Sequence, residues 1–383
     1  MRKKKVLQLG KFYSPYNGGI ETVTFDITEY LNAQGIKTDV LCSNEKNEYS
    51  DETMNGYNVF RTKSWGVHFS TSITPQLITK LRKKANNYDI LHIHLPNPMV
   101  NLALLLVNTN QKIVLHWHSD IIKQKYLLKL YEPLQTWLLR RADSIITTSP
   151  KYMEESLVLQ PYIDKCISIP LGIDEYKMQY TDAKVQSIKE KYKNKKIIFT
   201  LGRLIYYKGF EYLIDAGKYL DDSFIILIGG KGELKEELEQ KIKKEKLEDR
   251  VKLLGRIEDY DLGNYFKACD LFCLPSIAKS EAFGVVQIEA MSFGKPIVAT
   301  NIKGSGVDWV NKDGVSGLNV PIKDAEAIAE ACKTIMSDEK TYQRFSQNAR
   351  ERFQNNFLRE KMGDKTIELY KKLFDDNVEL ENR

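Results

Sequence analysis

Residues 279–300 read KSEAFGVVQIEAMSFGKPIVAT. Two glutamates, Glu281 and Glu289, stand with seven residues between them across a largely apolar gap, and the stretch closes on PIVAT, which reads as a strand. A helix that starts near Phe283–Gly284 places Glu281 in the turn before it and Glu289 inside it. Eight helical positions give a rise of about 12 Å and an offset of about 80°. The paired carboxyls of glycoside hydrolases sit only about 5–9.5 Å apart. The two glutamates therefore do not read as acid and base on one bond. They read as two grips on an extended ligand, with amides near Phe283, Gly284 and Val285 free to meet a phosphate or a sugar hydroxyl. The bland alternative makes Glu281 a helix-dipole partner and Glu289 a surface residue, but the apolar setting VVQIEAM calls for a partner at Glu289.

Outward from this segment, strand-like runs alternate with amphipathic stretches through almost the whole chain, the pattern of parallel α/β layers. KVLQLG opens the first series, followed by the loop KFYSPYNGG, a helix ending at Gly35, and the runs KTDVLCS, NVFRTK, DILHIHL, KIVLHWH, SIITTS and CISIPLG. The pattern restarts with KKIIFTLGR, FIILIGG, RVKLLGR, YFKACDLFCLPS and PIVAT. The expectation is two doubly wound domains facing across a cleft, residues 1–175 and 176–363. The C-terminal helix, from about 364 to 383, is expected to pack back on the first domain. Ligands of such sheets bind beyond the carboxyl ends of the strands, so the residues just after each strand carry the search.

Composition narrows the class. The chain has 383 residues, 42% hydrophobic and 28% charged, which fits a soluble two-domain protein. No apolar run reaches the ~20 residues of a membrane span; MVNLALLLVN, the longest, reads as a buried element. The start reads as a strand behind a basic tail, not a secretory signal. Five scattered cysteines imply no disulfide framework, and Cys269 and Cys273 read as core. A cytoplasmic, reducing location follows. Most of the net charge of +6 lies in the first half, in KLRKK (80–84), KQKYLLK (123–129) and RR (140–141). Such patches favour an anionic partner or are simply solvated faces; without a nucleic-acid-binding motif, nucleic acid is not expected.

Several strand ends carry chemistry. GRLIYYKG (202–209) sets Arg203 and Lys208 in one turn region, a pair suited to a diphosphate. YNGGIE (16–21) puts Gly18 and Gly19 before the first helix, where backbone amides approach an anion closely, although it is not the dinucleotide fingerprint. LIGGKGEL (227–234) repeats the arrangement in the second half. HWHSD (116–120) brings His116, His118 and Asp120 to a strand end; no third ligand is evident from sequence, so the reading is a histidine lining a polar pocket and no metal site. EDYDLG (258–263) contains Asp-x-Asp, read as acidic residues capping a following helix.

Taken together, these motifs resemble the retaining, metal-independent glycosyltransferases of family 4, which have the GT-B fold. The resemblance rests on Glu281 and Glu289 within LPS…EAFGVVQIEAMSFGKPIVAT, on GRLIYYKG, on Pro15 to Gly19 and on PLGID (170–174), in order along the chain. It implies a hexose-type transfer from a nucleotide-sugar, UDP- or GDP-linked, without a metal or other cofactor. Arg203 and Lys208 would bind the donor diphosphate. Glu281 would hold the sugar hydroxyls, with the amides of Ala282, Phe283, Gly284 and Val285 near sugar and phosphate. Glu289 would take the ribose hydroxyls, the backbone at Arg256 and Ile257 the base, Gly18 and Gly19 the phosphates, and His118 the donor sugar at the reacting centre. Two departures stand out: NIKGSG replaces a Gly-Gly pair after VAT, and GGKG lacks an acidic residue that often follows its first glycine. The expected acceptor is a glycan or polyprenyl-linked saccharide in surface-polysaccharide or lipopolysaccharide assembly, met at the inner face of the cell membrane through peripheral contact with acidic lipid. A soluble transferase for small acceptors, a non-catalytic sugar-nucleotide or glycan-binding protein, and a two-domain epimerase remain as rivals.

Overall fold

Short, nearly unbroken apolar runs such as KIIFTL and FIILIG make strands covered on both faces, and here they build two parallel sheets. The computed structural model describes residues 4–16, 18–68, 71–121 and 125–381, with side chains throughout except at 125–130 and 375–381. The basic run 123–129 and Asn17 of the glycine loop thus fall outside the described residues or side chains.

The chain divides into two units, residues 1–172 with 359–383, and 173–358. The first contains β1 (Lys5–Leu9), β2 (Lys37–Ser43), β3 (Ser50–Met54), β4 (Tyr57–Thr62), the short pair β5 (Val67–His68) and β6 (Thr71–Ser72), β7 (Ile90–Leu95), β8 (Lys112–Trp117), β9 (Ser144–Thr147) and β10 (Cys166–Ser168). Its main sheet runs β10-β9-β8-β7-β1-β2-β4-β3, parallel except for β3, which pairs antiparallel with β4 at the edge. The second unit contains β11 (Lys196–Leu201), β12 (Phe224–Gly229), β13 (Val251–Gly255), β14 (Leu271–Leu274), β15 (Ile297–Asn301) and β16 (Gly317–Pro321), ordered β13-β12-β11-β14-β15-β16 and wholly parallel. Both orders reverse direction once, between β1 and β7 and between β11 and β14. Those reversals are the topological switch points at which doubly wound sheets open a crevice for ligands.

The second core shows why the order holds. Ile198, Ile226, Ile228, Leu271, Cys273 and Val298 are buried with Phe210, Leu213 and Ile328 from flanking helices, each large side chain contributing about 1.5–3 kcal/mol of burial. Cys269 and Cys273 are buried and free, as core residues.

The domain boundaries differ slightly from those read in the sequence. Gly172 donates its amide to Met362 Sδ at 3.3 Å within the first unit, while Ile173 donates to the Phe357 carbonyl at 3.0 Å within the second. The chain therefore changes unit at 172/173 and 358/359, and the last helix spans Arg359–Glu381 instead of starting near 364. Tyr30 donates to Asp364 at 2.7 Å, one of the contacts that hold this helix in the first unit.

One strand goes unread in the sequence, and two local expectations need correcting. The edge strand β3 is exposed and charged (SDETM) and lacks the apolar signal that marks inner strands. In YFKACDLFCLPS only Leu271–Leu274 is strand, because the preceding residues finish the helix Asp259–Ala268. MVNLALLLVN is not fully buried. It is the helix Pro98–Val107, capped by Asn97, and it leaves Leu102, Leu105 and Leu106 exposed at i, i+3, i+4 spacing. Among the described residues no helix is long and apolar enough to cross a membrane.

Candidate active site

The second unit's switch point gathers the sequence's main candidates. Arg203 and Lys208 follow β11, and Ser276 and Glu281 follow β14, the two strands that flank the reversal. Lys208 Nζ lies 2.6 Å from Glu281 Oε2, with both side chains about 10% exposed. Ser276 Oγ donates to the same oxygen at 2.9 Å. Oε2 is thus taken up by the protein, and Oε1 is the carboxylate oxygen left to accept from a ligand. Arg203 is exposed.

The turn that delivers Lys208 depends on one glycine. Gly209 has φ +65°, and a Cβ there would stand 2.1 Å from the Pro275 carbonyl oxygen, so only glycine lets the turn close on the end of β14. Ile277 donates its amide to the Tyr207 carbonyl at 2.8 Å and ties the two loops together. The loop around Glu281 is held from a third strand end. Thr300 donates to the Ser276 carbonyl, Ser305 to the Glu281 carbonyl, and the Gly306 amide to the Ala282 carbonyl at 2.8 Å. The NIKGSG departure is therefore part of the scaffold under Glu281. Ser276, Tyr207, Thr300 and Ser305 were missed in the sequence, where isolated hydroxyls and a backbone carbonyl carry no recognisable signal.

Glu281 stands before the helix Val285–Ser292, whose N-cap is Gly284 at φ +74°. No side chain caps this end, which leaves first-turn amides and the positive end of the dipole facing outward. Ala282 and Phe283 are buried, and Phe283 packs edge-on against Phe357 with ring centroids 6.0 Å apart. Val285 and Glu289 are half-buried on the helix. On the other side of β11, Gly202 donates to the Gly229 carbonyl, Leu204 to the Lys231 carbonyl (both 3.0 Å) and Gly230 to the Gly255 carbonyl at 2.7 Å. The GGKG turn is thereby bound to the Arg203 turn and to the end of β13. Arg256 pairs with Glu258 at 2.9 Å, and Ile257 packs against Gly229.

Gly18, Gly19 and His118 belong to the first unit. Gly18 caps the helix Gly19–Ala33 in an extended conformation, with no side-chain cap and Glu21 in the first turn. His118 follows β8 and is 6% exposed. It is the outermost of four buried imidazoles: His116 and His118 stack at 4.2 Å, His94 and His118 at 5.2 Å, and His92 and His94 at 4.9 Å. Burial pulls His92 and His118 down to about 3, and His94 and His116 well below the ordinary range, so all four are neutral at physiological pH.

Unlike the sequence reading, which saw no third ligand, the fold brings ring nitrogens of His92, His94 and His116 within 4.8 Å of one another. Their planes are within 24° of parallel. Both ring nitrogens of His94 are engaged, Nε2 with Gln8 Oε1 and Nδ1 with His118 Nε2, each at 2.9 Å, which leaves His94 no free lone pair to offer an ion. Asp120 accepts from Trp117 Nε1 at 3.0 Å and from Ser156, a structural role.

Asp259 and Asp261 lie, as read, in the first turn of the helix Asp259–Ala268 at the positive end of its dipole, where the N-cap Glu258 makes no side-chain cap bond; Asp261 also accepts from Asn264 at 3.0 Å. One further expectation changes. The basic patch 80–84 is partly absorbed: Lys80 pairs with Asp51 at 2.7 Å, Lys84 sits 4.2 Å over the Phe60 ring, and Arg82 donates to the Leu106 carbonyl. Arg141 likewise donates to the carbonyls of Thr109 and Gln111. A hollow of about 880 Å³, lined by Glu175, Arg350, Phe293 and Gly294 among others, lies at the far end of the helix Val285–Ser292, away from these strand ends.

With a Rossmann-type parallel sheet in each unit and a cation–carboxylate pair at the switch point of the second, the fold is of the GT-B glycosyltransferase type. Residues 17–176 match the family model described as Glycosyltransferase Family 4, and residues 182–352 match that described as Glycosyl transferases group 1. The chain is 31% identical over 97% of its length to O-antigen chain mannosyltransferase C of Escherichia coli, of which 99% is covered. It is 32% identical over 92% of its length to the D-rhamnosyltransferase WbpZ of Pseudomonas aeruginosa, 92% of which is covered. In fold it is similar to the sucrose-phosphate synthase of Thermosynechococcus elongatus (TM-score 0.81, 22% identity, 97% of this chain and 100% of that one). A second such structure is Anabaena HepE in complex with UDP and glucose (TM-score 0.76, 21% identity, 96% and 100%). The chain belongs to glycosyltransferase family 4.

Proposed function

We propose that this enzyme transfers a hexose of manno configuration, with retention and without a metal, from a UDP- or GDP-linked donor to a glycan or polyprenyl-linked acceptor in surface-polysaccharide assembly. The observation that carries the proposal is the Lys208–Glu281 pair beneath an uncapped helix end. Lys208 and Arg203 take the diphosphate and stabilise the charge that builds on it as it leaves. Glu281 holds the sugar through Oε1, with the amides of Ala282, Phe283, Gly284 and Val285 alongside. Glu289 receives the ribose, the backbone at Arg256 and Ile257 the base, and Gly18 and Gly19 the phosphates. His118, neutral at working pH, meets the sugar as a hydrogen-bonding group and not as an acid.

Retention follows from where the proton goes. Glu281 is committed through Oε2 to Lys208 and Ser276, an anchored carboxylate instead of a nucleophile. The departing phosphate accepts the acceptor's proton on the face it leaves, so the new bond forms on that same face. Two cations at the diphosphate supply the charge that a metal supplies in other transferases. The manno preference rests on the two relatives named for mannosyl and D-rhamnosyl transfer, D-rhamnose being 6-deoxymannose. Peripheral contact with acidic lipid at the inner membrane face is supported by the exposed leucines of Pro98–Val107 and by exposed Lys83 and Arg140.

A thermal-shift panel of UDP-, GDP-, ADP- and dTDP-sugars tests the donor, because a ligand of the folded state raises its melting temperature. Transfer assays on the best donor then read the anomer of the product. Loss of transfer in EDTA with recovery on adding a divalent cation would overturn metal independence, and an inverted product would overturn retention.

A further inference from the structure

The first unit's switch point carries a polar chain that the transfer chemistry above leaves unused. Gln8, on β1, and His94, on β7, stand on the two strands that flank the reversal, and both are fully buried. Gln8 Oε1 lies 2.9 Å from His94 Nε2, and His94 Nδ1 lies 2.9 Å from His118 Nε2. An amide oxygen only accepts, so His94 carries its proton on Nε2 and offers a bare Nδ1. His118 must then donate from Nε2, which leaves its own Nδ1 without a proton.

The phenol of Tyr370, on the helix Arg359–Glu381, lies beside this amide and 2.5 Å from His92 Nδ1, while Gln8 Nε2 is buried and makes no hydrogen bond. With the amide turned over, every donor in the chain would reverse and His118 would present an N–H at Nδ1. Nδ1 of His118 has no hydrogen bond in the chain Gln8–His94–His118 and is not among the buried nitrogens without a partner, whereas His92 Nε2 and both nitrogens of His116 are.

We propose that Gln8, acting through His94, fixes the tautomer of His118 so that Nδ1 is a permanent acceptor for a hydroxyl of the bound sugar. The proposal rests on the reading of His118 as the sugar contact. Gln8 and His94 are positioning residues under it. Specificity follows: a hydroxyl can donate to Nδ1, whereas a fluorine in its place only accepts and meets a lone pair. A site built to receive one hydroxyl discriminates strongly against the analogue without that donor.

The chain holds five histidines, so 15N-histidine labelling with long-range proton–nitrogen correlation resolves each ring, and loss of one spin system in His118→Gln assigns it. The expected result is a pyridine-type Nδ1 and a protonated Nε2 at His118 in the native enzyme. In Gln8→Met the His118 tautomers should mix, with kcat lowered about tenfold and KM for the donor changed less than about twofold, the signature of a contact made in the transition state. A proton on Nδ1 in the native enzyme overturns the proposal even if Gln8→Met fails to fold, and so does an unchanged His118 tautomer in a folded Gln8→Met. Full activity in His118→Ala would instead remove the sugar contact while leaving the tautomer result standing.

Discussion

Lys208 Nζ and Glu281 Oε2 stand 2.6 Å apart at the ends of two strands that are neighbours only because the sheet reverses there. Each partner holds the other in a site with little water. Lys208→Ala therefore strands a carboxylate of low exposure and, on the proposed function, also removes a diphosphate contact. Expected are a loss of stability of about 3 kcal/mol and donor affinity reduced at least about tenfold. The double variant Lys208→Met, Glu281→Gln should recover most of the stability and none of the transfer. Denaturant melts on the single and double variants read the coupling; additive losses would show that the pair is not one unit.

Arg203 makes the opposite prediction, because its exposed side chain gives the fold little to lose. Arg203→Ala should leave the unliganded melting temperature within about 1 °C, since exposed substitutions rarely exceed ~0.5 kcal/mol. It should weaken donor binding about tenfold, as expected for a charge-assisted contact. An unchanged ligand-induced thermal shift would remove Arg203 from the diphosphate site.

Ser305 tests the scaffold beneath Glu281. Its hydroxyl donates to the Glu281 carbonyl and accepts the Val307 amide at 3.2 Å. Ser305→Ala leaves two buried backbone groups short of a partner, for a loss of about 1–2 kcal/mol. The loop that carries Glu281 loosens with it, so kcat should fall more than donor affinity. If kcat and KM are both unchanged, the loop does not depend on this bond.

The histidine stack predicts an acid-side instability. The folded state holds His92 and His118 neutral down to about pH 3, while the unfolded chain protonates near pH 6.5. The unfolded state therefore binds more protons between about pH 6.5 and 3, and stability falls as pH drops through that window. One pH unit below 6.5, each of these two rings costs about 1.4 kcal/mol, with His94 and His116 adding in the same direction. Denaturation midpoints at about pH 7.5 and 5.5 measure this; equal midpoints would mean that the rings are hydrated.

Which parts were legible in the sequence follows from how local the signal is. GRLIYYKG and EAFGVVQIE announce their strand–turn–helix units because charged and glycine residues interrupt apolar runs at fixed spacing, and Arg203, Lys208 and Glu281 lie where strand ends put them. That Lys208 would pair with Glu281 was not legible, since it depends on β11 and β14 being neighbours across 73 residues of chain. The histidine stack was half legible. Two H-x-H runs show alternation, but only the register that sets His94 opposite His116 makes one cluster of them. Edge strand β3 gave no signal because exposure relieves an edge of the apolar pattern.

The exposed face of Pro98–Val107 supplies the last prediction. Leu102, Leu105 and Leu106 share one side of the helix, uncovered in the described structure, next to a basic segment whose Lys80 and Lys84 are already engaged by Asp51 and Phe60. Apolar insertion should therefore outweigh charge in holding the enzyme to a bilayer. Replacing the three leucines by glutamine should abolish flotation with acidic liposomes at low salt, leave the donor-induced thermal shift unchanged, and reduce transfer to a lipid-linked acceptor more than to its water-soluble saccharide. Lys83→Ala should weaken flotation only slightly, and raising the salt should do little more. Flotation that survives loss of the leucines but disappears in salt would reverse the order and make the contact electrostatic.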